Sequence, residues 1–161
     1  MKKTCQIAPF LLVFFLVLCA CAKQDEPEQF IEINTSYGEA IDQHVNDLPG
    51  VSMEAVEGTT TETSVTIRMI NDTEKTYTYG TEYDLQQLVD GTWYSMSYII
   101  DNYSFTAVEL FLEPGELEET INWGTFHGAM TSGTYRIVKD FYQNGDYTKP
   151  YWLAAEFTVQ S

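Results

Sequence analysis

The sequence predicts an all-β protein, an antiparallel β-sandwich of seven to eight strands preceded by a signal peptide and an acidic spacer. Three observations carry this expectation. From Val51 onward, apolar residues recur with a period of two and not 3.6. Gly, Pro, Asn and Asp break the alternating runs at intervals that suit two packed sheets. The chain also holds 11 Tyr, 9 Phe and 3 Trp, and aromatic side chains, like the frequent Thr, fit a pleated, half-buried surface.

The N-terminal stretch is an address. Lys2 and Lys3 make a basic start, Ile7 to Leu18 is almost wholly apolar, and Ala20-Cys21 supplies a small residue before a cut. The apolar run spans about a dozen residues, with Pro9 inside it, whereas a membrane-spanning helix needs about 20. Residues 1–20 are therefore read as a signal peptide. Leu18-Cys19-Ala20-Cys21 resembles the lipobox of bacterial lipoproteins, which implies a diacylglycerol thioether on the Cys21 sulfur. It also implies a chain held by lipid on the extracytoplasmic face of the cell membrane. Cys5, Cys19 and Cys21 are the three cysteines. Beyond Cys21 there is no disulfide, thiol nucleophile or thiolate metal ligand to invoke.

Residues 21–49 read as the lipidated Cys and a spacer. Lys23 to Gln29 is polar with nothing to bury. Phe30, Ile31 and Ile33 interrupt that polarity and suit a short strand or a docking contact. Ile41 and Val45, four apart, allow a short helix over 38–47. Leu48-Pro49-Gly50 is a turn signal, which starts the domain at residue 50 and extends it to 161.

Within the domain each strand has its own signature. Val51, Met53 and Ala55 alternate with polar residues, and Val65, Ile67 and Met69 share one face opposite Thr66 and Arg68. Tyr77 and Tyr79 share a face and Gly80 ends their strand. Asp90-Gly91 signals a tight hairpin, since φ > 0 is cheap for Gly and tolerable for Asp. Val108, Leu110 and Leu112 alternate up to Pro114-Gly115, and Leu117, Ile121 and Trp123 follow that turn. A last pair runs from Thr134 to Phe141 and from Tyr151 to Val159, joined through Asn144-Gly145-Asp146.

Gly133-Thr134-Tyr135 refines the architecture. A Tyr just after a turn glycine, at the start of the penultimate strand, is where the tyrosine corner of immunoglobulin-like sandwiches sits. Gly133, Tyr135 and Trp93, the last as the core Trp, are the expected structural positions. Tyr77-Thr78-Tyr79-Gly80, Tyr83-Asp84-Leu85-Gln86, Asp90-Gly91-Thr92-Trp93-Tyr94, Ile99-Ile100-Asp101-Asn102-Tyr103, Leu112-Glu113-Pro114-Gly115-Glu116, Gly133 to Lys139 and Tyr151 to Phe157 follow in order. Together they resemble the bacterial immunoglobulin-like domain family of lipoproteins and other surface proteins of Gram-positive bacteria, over about residues 51–160. The resemblance implies a fold and a setting, with no catalytic residues to carry over. Thr131-Ser132 stands before Gly133 where the family pattern suggests Pro. A weaker similarity, through the Leu-x-Pro-Gly-Glu turn, is to intracellular proteinase inhibitors, and the export signal argues against it.

Charge and chemistry narrow the function. The formal charge is −16, and loss of Lys2 and Lys3 with the leader takes it to −18. Such a field repels nucleic acid and anionic headgroups. No Gly-x-Ser-x-Gly elbow, Walker run or Gly-x-Gly-x-x-Gly occurs. His44 and His127 are the two histidines, too few for zinc without cysteines. No EF-hand loop occurs, and Asn71-Asp72, Asp101-Asn102 and Asn144-Gly145-Asp146 are turn formers before they are Ca²⁺ ligands. Glu118 and Glu119 are adjacent on a strand and so point to opposite faces, which cannot serve one glycosidic bond.

No cofactor or metal is expected. Tyr142, Tyr147, Tyr151 and Trp152, crowded at the last hairpin, are the candidate binding residues, because aromatic platforms stack on sugars or anchor interfaces. The expectation is a lipid-anchored, non-catalytic binding or interaction module with a monomeric domain and a protein or glycan partner. The alternative is an inhibitor or sensory accessory of an extracellular protease or receptor.

Overall fold

The computed structural model describes residues 33–143 and 146–160. Residues 1–32, which hold the expected signal peptide, Cys21 and the first part of the expected spacer with Phe30 and Ile31, lie outside the described residues, as do Asn144, Gly145 and Ser161. Strands β1 (Ile33–Asn34), β2 (Tyr37–Ile41), β3 (Val51–Ala55), β4 (Ser64–Asn71), β5 (Tyr77–Tyr79), β6 (Asp84–Val89), β7 (Thr92–Met96), β8 (Leu110–Leu112) and β9 (Gly115–Asn122) come first. The short helix α1 (Gly124–His127), β10 (Ala129–Met130), β11 (Gly133–Gln143) and β12 (Tyr151–Val159) complete the order. Counting β5 and β6 as one interrupted strand, and setting aside β1, β2 and β10, leaves eight sandwich strands.

Two antiparallel sheets face each other. The smaller runs β3-β4-β9, and the alternation of β4 puts Val65, Ile67 and Met69 in the core with no exposure while Arg68 stays outside. There Arg68 bridges Glu54, Glu116 and Glu118. The larger sheet is organised on β11, which pairs with β12 from Gly133↔Val159 to Phe141↔Tyr151. Its other edge pairs first with β6 and then with β5, while β7 and β2 extend the β6 side and β8 the β5 side. By parity, Tyr135, Ile137, Lys139 and Phe141 face the core, and Arg136, Val138, Asp140 and Tyr142 face outward.

Both sheets feed one core. Trp123 lies fully buried between them, stacked 5.5 Å from Phe157, with its indole N–H donating to the Glu62 carbonyl. Tyr135 packs on the same Phe157, and its hydroxyl donates back to the Thr131 carbonyl at 3.0 Å, the geometry of a tyrosine corner. At Gly133 an added Cβ would meet the Tyr135 ring and the Gln87 amide at 3.2 Å. Glycine thus lets the chain pass close to that ring. Asp90 and Gly91 both take positive φ, 49° and 81°, as a two-residue hairpin between right-twisted strands requires.

Four expectations are corrected. Trp93 is not the core indole: Met96 is the buried residue of β7, and Trp93, three positions away, falls on the outer face, half-buried under the Arg136 guanidinium at 4.2 Å. Trp123 fills the core instead. No helix forms over 38–47, because Tyr37–Ile41 is a strand bonded to the edge of β7. The folded unit reaches back past residue 50: Asn34 bonds Ser97, β1 pairs in parallel with β10, and Leu48 is buried in the core. Val108 precedes β8 and, like Leu117 on β9, is exposed.

The segment between β2 and β3 works as a strap. Ile41 is held on β7, while the Asn46 N–H donates to the Trp152 carbonyl and the Asn46 amide bonds both N–H and C=O of Ala154. Residues 42–45 therefore cross the outer face of the larger sheet, with residues 41, 43 and 45 turned in and 42 and 44 turned out. On the same face lies a buried polar contact in which Arg136 Nε donates to Gln86 Oε1 at 2.7 Å.

Candidate binding groove

The groove begins as an interruption in pairing. On the β6 and β5 side of β11, Tyr135–Val138 bond β6 and Phe141–Gln143 bond β5, which leaves Lys139 and Asp140 without a strand partner. There residues 80–83 loop out, starting at Gly80, where strand pairing stops. The opening is a groove of about 410 Å³. Val138, Lys139 and Asp140 line it from β11, Glu82 and Tyr83 from the loop, Asp84 from the start of β6, Gln43 from the strap and Trp152 from β12. Tyr98, Tyr103 and Phe105, from the connection between β7 and β8, complete it.

That connection has no regular structure, and aromatic packing holds it. Tyr98 and Tyr103 stack at 3.6 Å, Tyr98 sits 4.3 Å from the His127 ring, and Tyr83 meets Phe105 edge-on at 5.4 Å. Phe126 of α1 packs on Phe105 at 5.3 Å, while the Ile99 N–H donates to the Phe126 carbonyl. Helix α1 thus serves as a backing for the loop.

His127 is 1% exposed. Its Nδ1 lies 3.1 Å from the Ser97 carbonyl, which can only accept, so Nδ1 carries the proton and Nε2 is a bare acceptor. Among the described residues Nε2 has no partner, nor has the buried Tyr83 hydroxyl. Burial lowers the His127 pKa, against the Ser97 hydrogen bond and the charge of Asp84, and burial raises the Tyr83 and Tyr98 phenols.

Carboxylates complete the groove. Asp84 accepts from the Ser95 hydroxyl at 2.7 and 2.8 Å and from the Gln86 amide at 2.6 Å. Asp140 accepts from the Tyr142 hydroxyl at 2.6 Å, and that bond, with burial, pushes the Tyr142 phenol up to about 12. A second groove of about 240 Å³ shares Glu82 and Asp140 with the first. It continues past Tyr142 and Tyr147, whose rings lie 5.1 Å apart, to Glu109, which bonds the Tyr147 hydroxyl.

Lys139 belongs to both worlds. Its main chain runs along the first groove, but its side chain turns into the core, wholly buried. Nζ stands 3.7 Å from Glu119 Oε2 on the opposite sheet and 5.5 Å from the Tyr79 ring centre, and neither Nζ nor Oε2 has a hydrogen-bond partner among the described residues. Burial lowers its pKa, and the Glu119 charge opposes that.

The four candidate residues thus separate. Trp152 lines the first groove, Tyr142 and Tyr147 line the second, and Tyr151 packs half-buried against the core. Tyr83, Tyr98, Tyr103, Phe105, Asp84 and Asp140 are functional candidates that sequence reasoning did not single out. The available signal was three aromatic residues, Tyr98, Tyr103 and Phe105, in a stretch without strand alternation. Asn71, a turn former and possible Ca²⁺ ligand by sequence, is buried and spends its amide on the Lys75 and Leu112 carbonyls. Among the described residues no group of three or more His, Cys, Asp or Glu is arranged to hold a metal ion.

Residues 47–158 match the family described as bacterial Ig-like domain. The chain belongs to this family. No curated protein matches the sequence. In this bacterial Ig-like domain the groove lies on the outer face of the β11 sheet, and residues 42–46 of the strap lie N-terminal to the matched region. Among the described residues no helix is long and apolar enough to cross a membrane.

Proposed function

We propose that this bacterial Ig-like domain is a lipid-anchored, extracytoplasmic binding module without catalytic activity of its own. The observation that supports binding most strongly is the groove opened by the broken β5–β6 strand. It combines aromatic rings, carboxylates and an irregular loop held by its own packing, and ligand sites favour such a concave, partly apolar surface with a few placed polar groups. His127 offers little to a hydrolytic mechanism, since it is buried and its Nδ1 is tied to a main-chain carbonyl.

A photo-crosslinking residue placed at Trp152 tests the binding reading on intact cells, with the same residue at Thr66, on the outer face of the smaller sheet, as control. A defined adduct from position 152 and none from position 66 is the expected result. Equal absence from both positions rules the reading out.

The anchor rests on Leu18-Cys19-Ala20-Cys21. Two or more acyl chains give stable attachment where one gives marginal binding, at about 0.8 kcal/mol per buried CH₂. Cys21→Ala is expected to move the protein from the membrane fraction to the soluble fraction. A variant that stays fully membrane-bound excludes lipid on Cys21.

A further inference from the structure

We propose that the two grooves form one track for a ligand carrying ammonium or guanidinium groups. The proposal rests on the binding-module reading and names the chemistry of that site. Glu82 and Asp140 line both grooves, Asp84 lines the first and Glu109 the second, so carboxylates recur along the whole track. Aromatic rings alternate with them: Tyr103 and Trp152, 41% and 37% exposed, in the first groove, and Tyr142 and Tyr147 in the second. Ring faces and carboxylates together select cations, because the ring quadrupole and the formal charges act in the same direction. The lysine along the lining does not cancel this, since the Lys139 ammonium is buried on the other side of the sheet against Glu119. The chain as a whole adds a field of −16, and low-dielectric walls focus such a field in a cleft.

A neutral sugar fits less well. It stacks on a ring face as a cation does, but it leaves the charges of Glu82, Asp84, Glu109 and Asp140 without a counter-charge. Two adjoining grooves joined by shared carboxylates also suit a ligand with several cationic groups in a row. Such cations have two sources, a free polyamine or the Lys and Arg side chains of an extended peptide.

Isothermal titration of the full chain in detergent against spermine, a hexalysine peptide and chitohexaose tests the proposal. Binding of spermine or hexalysine, and not of chitohexaose, is expected. Tighter binding of hexalysine by about tenfold or more assigns the track to a basic peptide, and the reverse order assigns it to free polyamines. Asp140→Asn and Trp152→Ala should each weaken cation binding by about fivefold or more, while Glu54→Gln, the same change of charge on the opposite sheet, leaves it unchanged. Absence of cation binding, or equal weakening by Glu54→Gln, overturns the proposal. Binding of chitohexaose alone also overturns it, yet leaves the binding module standing; only the failure of the crosslink at position 152 removes the module itself.

Discussion

Lys139 occupies a core position in an alternating strand, and the cost of that choice falls unevenly on its partner. Glu119 keeps about a quarter of its side chain in water, 26%, while the Lys139 side chain has none. Removal of the lysine leaves Glu119 Oε2 buried without a partner, on a side chain that is still partly in water and can turn towards it. Removal of the glutamate leaves a buried ammonium with no counter-charge, which costs about 3 kcal/mol or more. Glu119→Ala is therefore expected to lower the urea midpoint far more than Lys139→Met, and equal losses would contradict this account. His127 is the second buried titrating group with a directional consequence. Burial holds its pKa below the ordinary 6.5, so on acidification the unfolded chain takes up a proton that the folded chain refuses. Stability contributed by the neutral ring is complete above about pH 6.5 and is lost as pH falls below it. His127→Phe, which keeps a ring beside Tyr98, should flatten the fall in chemical stability just below pH 6.5; an unchanged slope would locate the effect elsewhere.

At the scale of elements, the strap and the broken strand define the outer face. Asn46 holds the strap to the exposed edge of β12 through three hydrogen bonds, and its backbone adopts φ 63°, which Asn tolerates better than most residues. Asn46→Ala loses the two side-chain bonds and strains the backbone, with an expected cost of about 2 kcal/mol. Hydrogen exchange should report faster exchange at the amide of Ala154, which Asn46 accepts, and little change in β4. Uniform acceleration across both sheets would mean that the strap is not a local fastening. The hairpin at Asp90-Gly91 was legible in the sequence because its requirement is local, a pair of residues that accept positive φ. The strap was not legible. Ile41 and Val45 have helical spacing, and only the free edge of β7 turns the preceding residues into a strand. The break between β5 and β6 was marked by Gly80, but nothing local shows that β11 runs past the gap and exposes Asp140 there.

For the whole molecule, acidity is the dominant global property. A formal charge of −16 repels itself in the compact state, and the Arg68 bridges to Glu54, Glu116 and Glu118 relieve it at one exposed place. Raising NaCl from about 0.01 to 0.15 M shortens the screening length from about 30 to about 8 Å, so the thermal midpoint should rise over that range. A falling midpoint would show that attractive ion pairs outweigh the repulsion. The same acidity was read from composition as a bar to nucleic acid and anionic headgroups. The fold brings four of its carboxylates, Glu82, Asp84, Glu109 and Asp140, from three stretches of the chain to the two adjoining grooves.

The sequence by itself determined the sandwich of seven to eight strands, the hairpin at Asp90-Gly91 and the shared face of Val65, Ile67 and Met69 on β4, because alternation and turn chemistry act between neighbours a few residues apart. It also put Glu118 and Glu119 on opposite faces by parity alone, and the structure shows that Glu119 is the inward one. Only the tertiary structure decided that Trp123 and not Trp93 fills the core, that residues 42–45 strap the outer face, and that Trp152 meets Tyr103 and Asp84 at one groove. Those outcomes depend on which strands pair, in which register and where pairing stops. Contacts between residues such as 43, 84, 103 and 152 are set by packing across the chain, and no local pattern records them.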